Sequence, residues 1–241
     1  MKKTEYDNID IIGETCEHFK NNTEKILLEY YQKQDEHTVA QLLEKMKLKN
    51  FEQVIDLGCS IGVWHDFYRQ QKFKKIIGID ISKERAEIAK KRGFNEIHIC
   101  NAYDLPFNDS SQDCIISNNV ILHVLQDTDR LKILHEIKRV LKKNGIIIFS
   151  FANATGYGYN TDTTLEYEKF NLVKTMSELV QDSGLILEYV LPSYYLLPRK
   201  GAHPKLAKLF ASLLFPLTDS ILKKINNLKH ARIIYFGVRK T

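Results

Sequence analysis

The residues best suited to chemistry lie in one short run, Asp56-Leu57-Gly58-Cys59-Ser60-Ile61-Gly62. An apolar stretch leads into it and a helical pattern follows, which is the strand–turn–helix setting of a nucleotide-binding loop. Gly58 leaves no side chain in a ligand's way and reaches backbone angles closed to other residues. Gly62 lets the next helix start close against the strand. A dinucleotide loop would carry G-x-G-x-x-G, yet Ser60 and Val63 hold the second and third glycine places. An acid at Asp56 would sit poorly beside a pyrophosphate and suits a ligand with an ammonium and a sulfonium. At about 4 Å and an effective dielectric near 20, that pairing is worth roughly 4 kcal/mol before desolvation.

Other candidates follow at informative intervals. Asp80 ends the apolar run Ile77-Gly78-Ile79 and lies 24 residues past Asp56, near the interval at which an acid reaches a ribose diol. It would otherwise be a helix N-cap, but Ser82 already suits that role. Asn101 opens Asn-Ala-Tyr-Asp-Leu-Pro-Phe; its side-chain carbonyl could accept from an adenine amino group while the Ala102 N–H donates to a ring nitrogen. The same segment also reads as a plain turn ended by Pro106. His123, after Asn118-Asn119-Val120-Ile121-Leu122, is the best general-base candidate, and equally a histidine that bonds the fold at a helix start.

The elements that must position these residues alternate in period. Apolar runs at Gln53–Leu57, Lys75–Asp80, Glu96–Cys100, Asp113–Ser117 and Gly145–Phe151 read as strands buried on both faces. Between them, amphipathic stretches over Val63–Gln71, Ser82–Arg92 and Asp127–Lys143 read as crossover helices. In the last, Leu131, Leu134, Ile137, Val140 and Leu141 recur at helical steps, and Lys142-Lys143-Asn144-Gly145 supplies basic charge and a stop. Two helices, about 20–33 and 35–48, precede the first strand and read as a cap on the open end of the sheet. After the fifth strand come a long polar loop over 152–170, a helix near 173–182, a strand near 185–191, about 40 residues of mixed helix and a last strand, Arg232–Val238.

Taken in order, Val54–Gly62, Gly78–Ser82, Asn101–Phe107, Asp113–Val124 and Arg139–Gly145 resemble the successive motifs of class I methyltransferases, notably the small-molecule type 11 group. The resemblance implies a single α/β domain over 1–241. Its Rossmann-like, seven-stranded, mostly parallel sheet would have helices on both faces, an antiparallel last strand and a helical insertion before it. Residues 1–50 would form a helical cap, 51–151 the cofactor core, 152–230 the acceptor side and 231–241 the last strand. The implied cofactor is S-adenosyl-L-methionine. Asp56 would hold its methionine amino group, and Gly58, Cys59, Ser60 and Gly62 would pass beneath the methionine part. Asp80 would take the ribose, Ile81 would pack on adenine, Asn101 and Ala102 would read the adenine edge, and Asn118 would lie under the methionine chain. Tyr30 or Tyr31 would close over the cofactor. Ser60 departs from the usual glycine and Asn101 from the usual aspartate, which implies altered affinity rather than lost binding.

Methyl transfer from a sulfonium is an in-line displacement, so alignment and exclusion of water are the protein's main tasks. The implied acceptor is an oxygen or nitrogen of a small molecule or a sugar-bearing metabolite. Tyr157, Tyr159, Tyr167, Tyr194 and Tyr195 would supply aromatic surface on the acceptor side, or stand as surface tyrosines. Within 204–229, Leu206, Leu209, Phe210, Leu213 and Leu214 share a helical face beside lysines. That face reads as a helix packed on its own domain, a lid, a peripheral membrane contact or an RNA surface. From Arg199 onward ten Lys/Arg face one acid, so the tail carries +9 of a net +5 and the remainder −4. This charge favours RNA methylation as the alternative function. A cofactor-binding subunit without catalysis is the non-enzyme alternative.

Nothing in the bulk pattern contradicts this. No apolar run approaches the roughly 20 residues of a spanning helix, and the N-terminus lacks a signal-peptide core, so the expected compartment is the cytoplasm. The four cysteines form no C-x-x-C pair, which argues against a zinc site or a disulfide framework; no metal is expected.

Overall fold

The computed structural model describes residues 22–48, 51–124, 126–153, 172–195 and 231–241, with isolated positions between 209 and 228. Its centre is a seven-stranded sheet of β1 (Gln53–Leu57), β2 (Lys75–Asp80), β3 (Glu96–Ile99), β4 (Gln112–Ser117), β5 (Leu141–Ala152), β6 (Ile186–Pro192) and β7 (Ile233–Arg239). The strand order is β3-β2-β1-β4-β5-β7-β6. Pairing is parallel from β3 through β5, and β7 runs antiparallel to both β5 and β6. The order reverses beside β1 and β4, and an open sheet of this kind binds ligands outside the strand ends at such a switch point.

Alternation along the strands builds two apolar layers. On one face Ile55, Leu57, Ile147 and Phe149 pack with residues of α4 (Asp127–Val140) and α5 (Leu172–Asp182). On the other, Val54, Ile76, Ile146 and Ile148 pack with residues of α1 (Asn22–Lys45), α2 (His65–Gln70) and α3 (Lys83–Lys91). The continuous Ile/Val blocks read from the sequence are therefore strands covered on both sides. Among the described residues no helix is long and apolar enough to cross a membrane.

Two boundaries differ from the sequence expectation. The two leading helices are one, α1, because polar residues in the presumed break turn inward. Asp35 accepts from Ser193 Oγ at 2.5 Å, and Thr38, fully buried, donates to Gln34 O at 2.9 Å. They continue the stripe of Val39, Leu42, Leu43 and Met46. The helix α4 stops at Val140 rather than Lys143. Leu141 takes extended angles (ψ 136°), is fully buried and pairs with Gln112, so the chain enters β5 with no loop. Lys142 then reaches Asp113 at 2.7 Å, and the turn expected at Asn144–Gly145 lies inside the strand. Some of the basic tail serves the fold: Arg239 binds Glu188 at 2.5 Å and the Met46 carbonyl at 2.5 Å, pinning β7 to β6 and to the segment after α1. The loop at 154–171, with Tyr157, Tyr159 and Tyr167, lies outside the described residues, as does most of 204–229. Of the positions described there, Leu209, Leu217 and Ile221 are helical and exposed, whereas Leu228 packs against the core.

Candidate functional site

The loop after β1 is tied to the end of β2 before any ligand is considered. The N–H groups of Gly58 and Cys59 both donate to Ile79 O, at 2.7 and 2.9 Å. Gly58 sits at φ +79°, and a Cβ there would strike the Val120 side chain. Gly62, also at +79°, does admit a close helix, but that helix is α3: its Cβ would meet Ala89 Cα at 3.1 Å and Phe94. Ser60 holds φ +48°, a left-handed conformation unusual for a residue with a Cβ. Asp80 explains how it is held. Its Oδ2 accepts from Ser60 N at 2.7 Å and its Oδ1 from Ser82 N at 2.9 Å. Ser82 caps α3 as the sequence suggests, accepting from Arg85 N at 3.4 Å. Asp80 thus joins both loops and still has lone pairs to offer.

These loops bound a cavity of about 660 Å³ at the carboxyl ends of the strands. Gly58, Ser60, Asp80, Ile81, Asn101, Ala102, Asn118 and His123 all line it, drawn together from four loops. Ile81 and Tyr103 present exposed apolar surface at its wall. Asn101 Oδ1 already accepts from Tyr103 N at 3.2 Å, an Asx-type turn that leaves a lone pair on the same oxygen. Other lining residues were not singled out from the sequence: Arg85, Cys100, Tyr103, Asn119, Gln126 and Asp129. The doubled asparagine at 118–119 was the available signal. Asn119 holds φ +54°, its N–H donates to Ser150 Oγ at 2.8 Å, and so it fixes the turn that delivers Asn118.

Asp56, Cys59, Gly62 and Tyr31 do not line the cavity. Asp56 is 2% exposed. Burial, opposed by the nearby Tyr68 hydroxyl and reinforced by the Asp80 charge, pushes its carboxyl up to about 7. Tyr68 favours the charged form without closing a well-formed hydrogen bond, and Asp56 Oδ2 is left without a partner. Asn118 Oδ1 and Nδ2 are likewise buried and unpartnered. Since Asp56 pairs with Ile116 across β1 and β4, Asn118 lies one pleat further along, beside Gly58. Cys59 is a core thiol, raised in pKa by burial and then by Asp56 and Asp80, so it is no nucleophile. Tyr31 stacks on Tyr194, with ring centroids 4.6 Å apart, and Gln32 Nε2 bonds Val63 O at 3.2 Å, which brings α1 to the same loop. Tyr195 is fully buried in the core and lines no part of the cavity. His123, in a 3₁₀ turn at Ile121–His123, is exposed on the cavity wall; desolvation of its packed side, then the Arg85 charge, lowers its pKa.

Residues 55–149, which contain every residue lining the cavity, match a family model described as a methyltransferase domain. That segment is similar to methyltransferase domains. The cofactor of this S-adenosylmethionine-dependent family fits what the site leaves unsatisfied: buried, unpaired oxygens at Asp56 and Asn118 flank the side-chain-free turn at Gly58. Several known proteins resemble the chain. An uncharacterised protein of Methanocaldococcus jannaschii is 36% identical over 108 residues, 44% of this chain and 39% of that one. Phosphoethanolamine N-methyltransferase 1 of Arabidopsis thaliana is 31% identical over 119 residues, 47% of this chain and 23% of the relative. The tRNA (carboxymethyluridine(34)-5-O)-methyltransferase alkbh8 of Xenopus tropicalis is 32% identical over 117 residues, 48% and 18% of the two chains. The chain spans less than half the length of each. In three dimensions it is similar to a chain of the complex between the Haloferax volcanii Trm112 methyltransferase activator and a methyltransferase, with TM-score 0.59 and 18% identity over 84% of this chain and 88% of that one. The chain shares that fold.

Proposed function

We propose that the protein transfers the methyl group of S-adenosylmethionine to an oxygen or nitrogen of a small molecule or sugar-bearing metabolite. The observation that carries this reading is the cavity at the switch point, lined together by Asp80, Asn101 and His123. When bound, the cofactor supplies a methyl group already activated on a sulfonium, so the chain needs no group that activates the donor.

The chain's residues then divide the work. Asp56, once ionised, pairs with the ligand's ammonium, and the Gly58–Gly62 backbone passes beneath the methionine part. Asn118 offers its carbonyl and amide to the same end. Asp80 uses its remaining lone pairs on the ribose hydroxyls. Ile81 packs on adenine, while Asn101 Oδ1 and the Ala102 N–H meet its edge. Tyr31 stands near the same loop as the residue that closes over the cofactor. On the acceptor side, His123 takes the proton of an acceptor hydroxyl or ammonium through a ring nitrogen. Its lowered pKa keeps the ring neutral, and so able to accept, at neutral pH. Tyr157 and Tyr159 are proposed to bound the acceptor.

A second reading, methylation of tRNA, draws on the relative named for that activity, on the solved complex with an activator and on the +9 charge of the tail. Labelled-methyl transfer into metabolite extract and total RNA separates the two. Label in the small-molecule fraction is expected. Label confined to RNA would replace the first reading by the second, and no transfer by a chain that binds S-adenosylhomocysteine would refute both.

A further inference from the structure

The loop that presents Asn101 and Ala102 is gripped by a clasp on α4. Glu136 and Arg139, three residues apart, stand on one face of that helix. Five N–H bonds radiate from the Arg139 guanidinium. Nε donates to Glu136 Oε2 at 2.8 Å; Nη1 to Phe107 O at 2.9 Å and Asp109 Oδ1 at 2.7 Å; Nη2 to Leu105 O at 3.1 Å and Glu136 Oε1 at 2.6 Å. A guanidinium has five donor hydrogens, so none is left over. Glu136 returns the grip by accepting from Leu105 N at 2.7 Å. The clasp therefore satisfies three loop backbone groups that no strand or helix serves. Ser110 N and Ser111 N bond Arg139 O and Val140 O at 2.9 and 2.8 Å, which fixes the loop's far end. Its near end is held by Cys100 N on Asp80 O at 3.2 Å, and Asp104 N on Asn101 O, 3.2 Å, closes the turn between. Asn101 and Ala102 sit between these anchors, and the same helix lines the cavity through Asp129 and Ile133.

We infer that Glu136 and Arg139 are positioning residues for recognition of the cofactor's adenine, holding the 101–107 loop so that Asn101 and Ala102 meet its edge. This rests on the cofactor reading above. Arg139 does not line the cavity; it acts through the loop. A Lys cannot replace it, since one ammonium has three donors and no planar fork. Exposed ion pairs are worth little, but here Glu136 is only 11% exposed and both partners also hold backbone groups.

The test is calorimetry on the full chain with two ligands, S-adenosylhomocysteine and S-inosylhomocysteine, which differ along the edge that Asn101 and Ala102 would read: the amino group becomes a carbonyl and the adjacent ring nitrogen gains a hydrogen. Arg139→Ala is expected to weaken S-adenosylhomocysteine roughly tenfold or more and to bring the preference for adenine over hypoxanthine close to one. Arg139→Lys and Glu136→Gln should fall between, and they carry the same comparison if Arg139→Ala does not fold. Asn101→Ala should then cost little in the Arg139→Ala background, because the two act on one contact. Phe73→Leu, in the opposite apolar layer, supplies a loss of stability that should leave the preference intact. Unchanged affinity, or equal weakening of both ligands with the preference preserved, would overturn the inference and leave Arg139 a purely structural residue. A wild-type chain that binds neither ligand would instead overturn the cofactor assignment itself, and this inference with it.

Discussion

The pH dependence of cofactor binding is where the buried carboxyl of Asp56 should declare itself. An aspartic acid in an unfolded chain titrates near 3.9. In the fold, burial first, eased by Tyr68 and reinforced by Asp80, lifts Asp56 to about 7. The sign follows directly. A carboxyl raised in the folded state penalises the fold in its charged form, so the penalty is absent below pH about 4, grows between 4 and 7 and is complete above 7. At about 1.4 kcal/mol per tenfold, the full penalty is about 4 kcal/mol. Without ligand, this group alone makes the protein more stable near pH 5 than near pH 8, and Asp56→Asn removes that slope. A ligand ammonium reverses the preference, because it pairs with the carboxylate and not with the acid. Below pH 7, binding must therefore expel the proton. With a pKa of 7 the ionised fraction rises roughly 25-fold between pH 5.5 and 7.5, and the affinity for S-adenosylhomocysteine should rise by the same factor. Calorimetry in two buffers of different ionisation enthalpy counts the proton: close to one released at pH 5.5, none at pH 8.5. A flat affinity with no proton release, or an Asp56→Asn chain that keeps the wild-type profile, would refute the assignment of Asp56 to the amino group.

Three further outcomes follow from the same geometry. Ser60 at φ +48° carries left-handed strain of about 1 kcal/mol that glycine would relieve, offset by the roughly 0.5–1 kcal/mol of freedom a glycine loses on folding. Ser60→Gly should thus move the melting temperature little, whereas the β-branched Ser60→Val should lose about 2 kcal/mol; equal effects would show that the loop tolerates any residue there. Asp80→Ala removes the acceptors of Ser60 N and Ser82 N, so it should lower the melting temperature and the S-adenosylhomocysteine affinity together, and a loss of affinity with unchanged melting would show that the loops stand without it. His123→Ala should reduce turnover of a hydroxyl acceptor about 100-fold while leaving S-adenosylhomocysteine affinity within a few-fold. The acid limb of the wild-type rate profile should fall below the ordinary histidine range, because burial and then Arg85 lower the His123 pKa. Intact turnover in that variant would make His123 a structural residue.

How far the sequence could be read depended on whether one period governed each segment. The first four apolar blocks of the parallel part sit within a residue of the observed strands, since a strand covered on both faces leaves an unbroken Val/Ile signature; the fifth begins four residues earlier than its apolar run. At Leu141 two periods overlap: it completes the helical stripe of α4 and also opens β5, and a pairing with Gln112 that hydropathy does not encode decides for the strand. The sequence reads a break near 34, between helices of about 20–33 and 35–48, but Asp35 is inward-facing and bonded to Ser193, 158 residues away. Among the cavity residues that periodicity missed, Tyr103 and Asn119 sit in turns held by such remote contacts, while Arg85 reaches the cavity from α3.

Asp80 shows why a site residue and a structural residue are not alternatives. The sequence offers it two roles, ribose ligand or helix cap. In the fold Ser82 is the cap, and Asp80 holds the N–H of Ser60 at 2.7 Å and that of Ser82 at 2.9 Å. A carboxylate in this position explains how the loop keeps Ser60 where glycine would be easier: a charge-assisted bond to the Ser60 N–H offsets strain of about 1 kcal/mol at that residue. The cost of the departure from glycine is therefore met by the same side chain that is proposed to bind the ribose. The two should be inseparable by mutation at Asp80, yet separable at Ser60, where the side chain can change while the N–H remains.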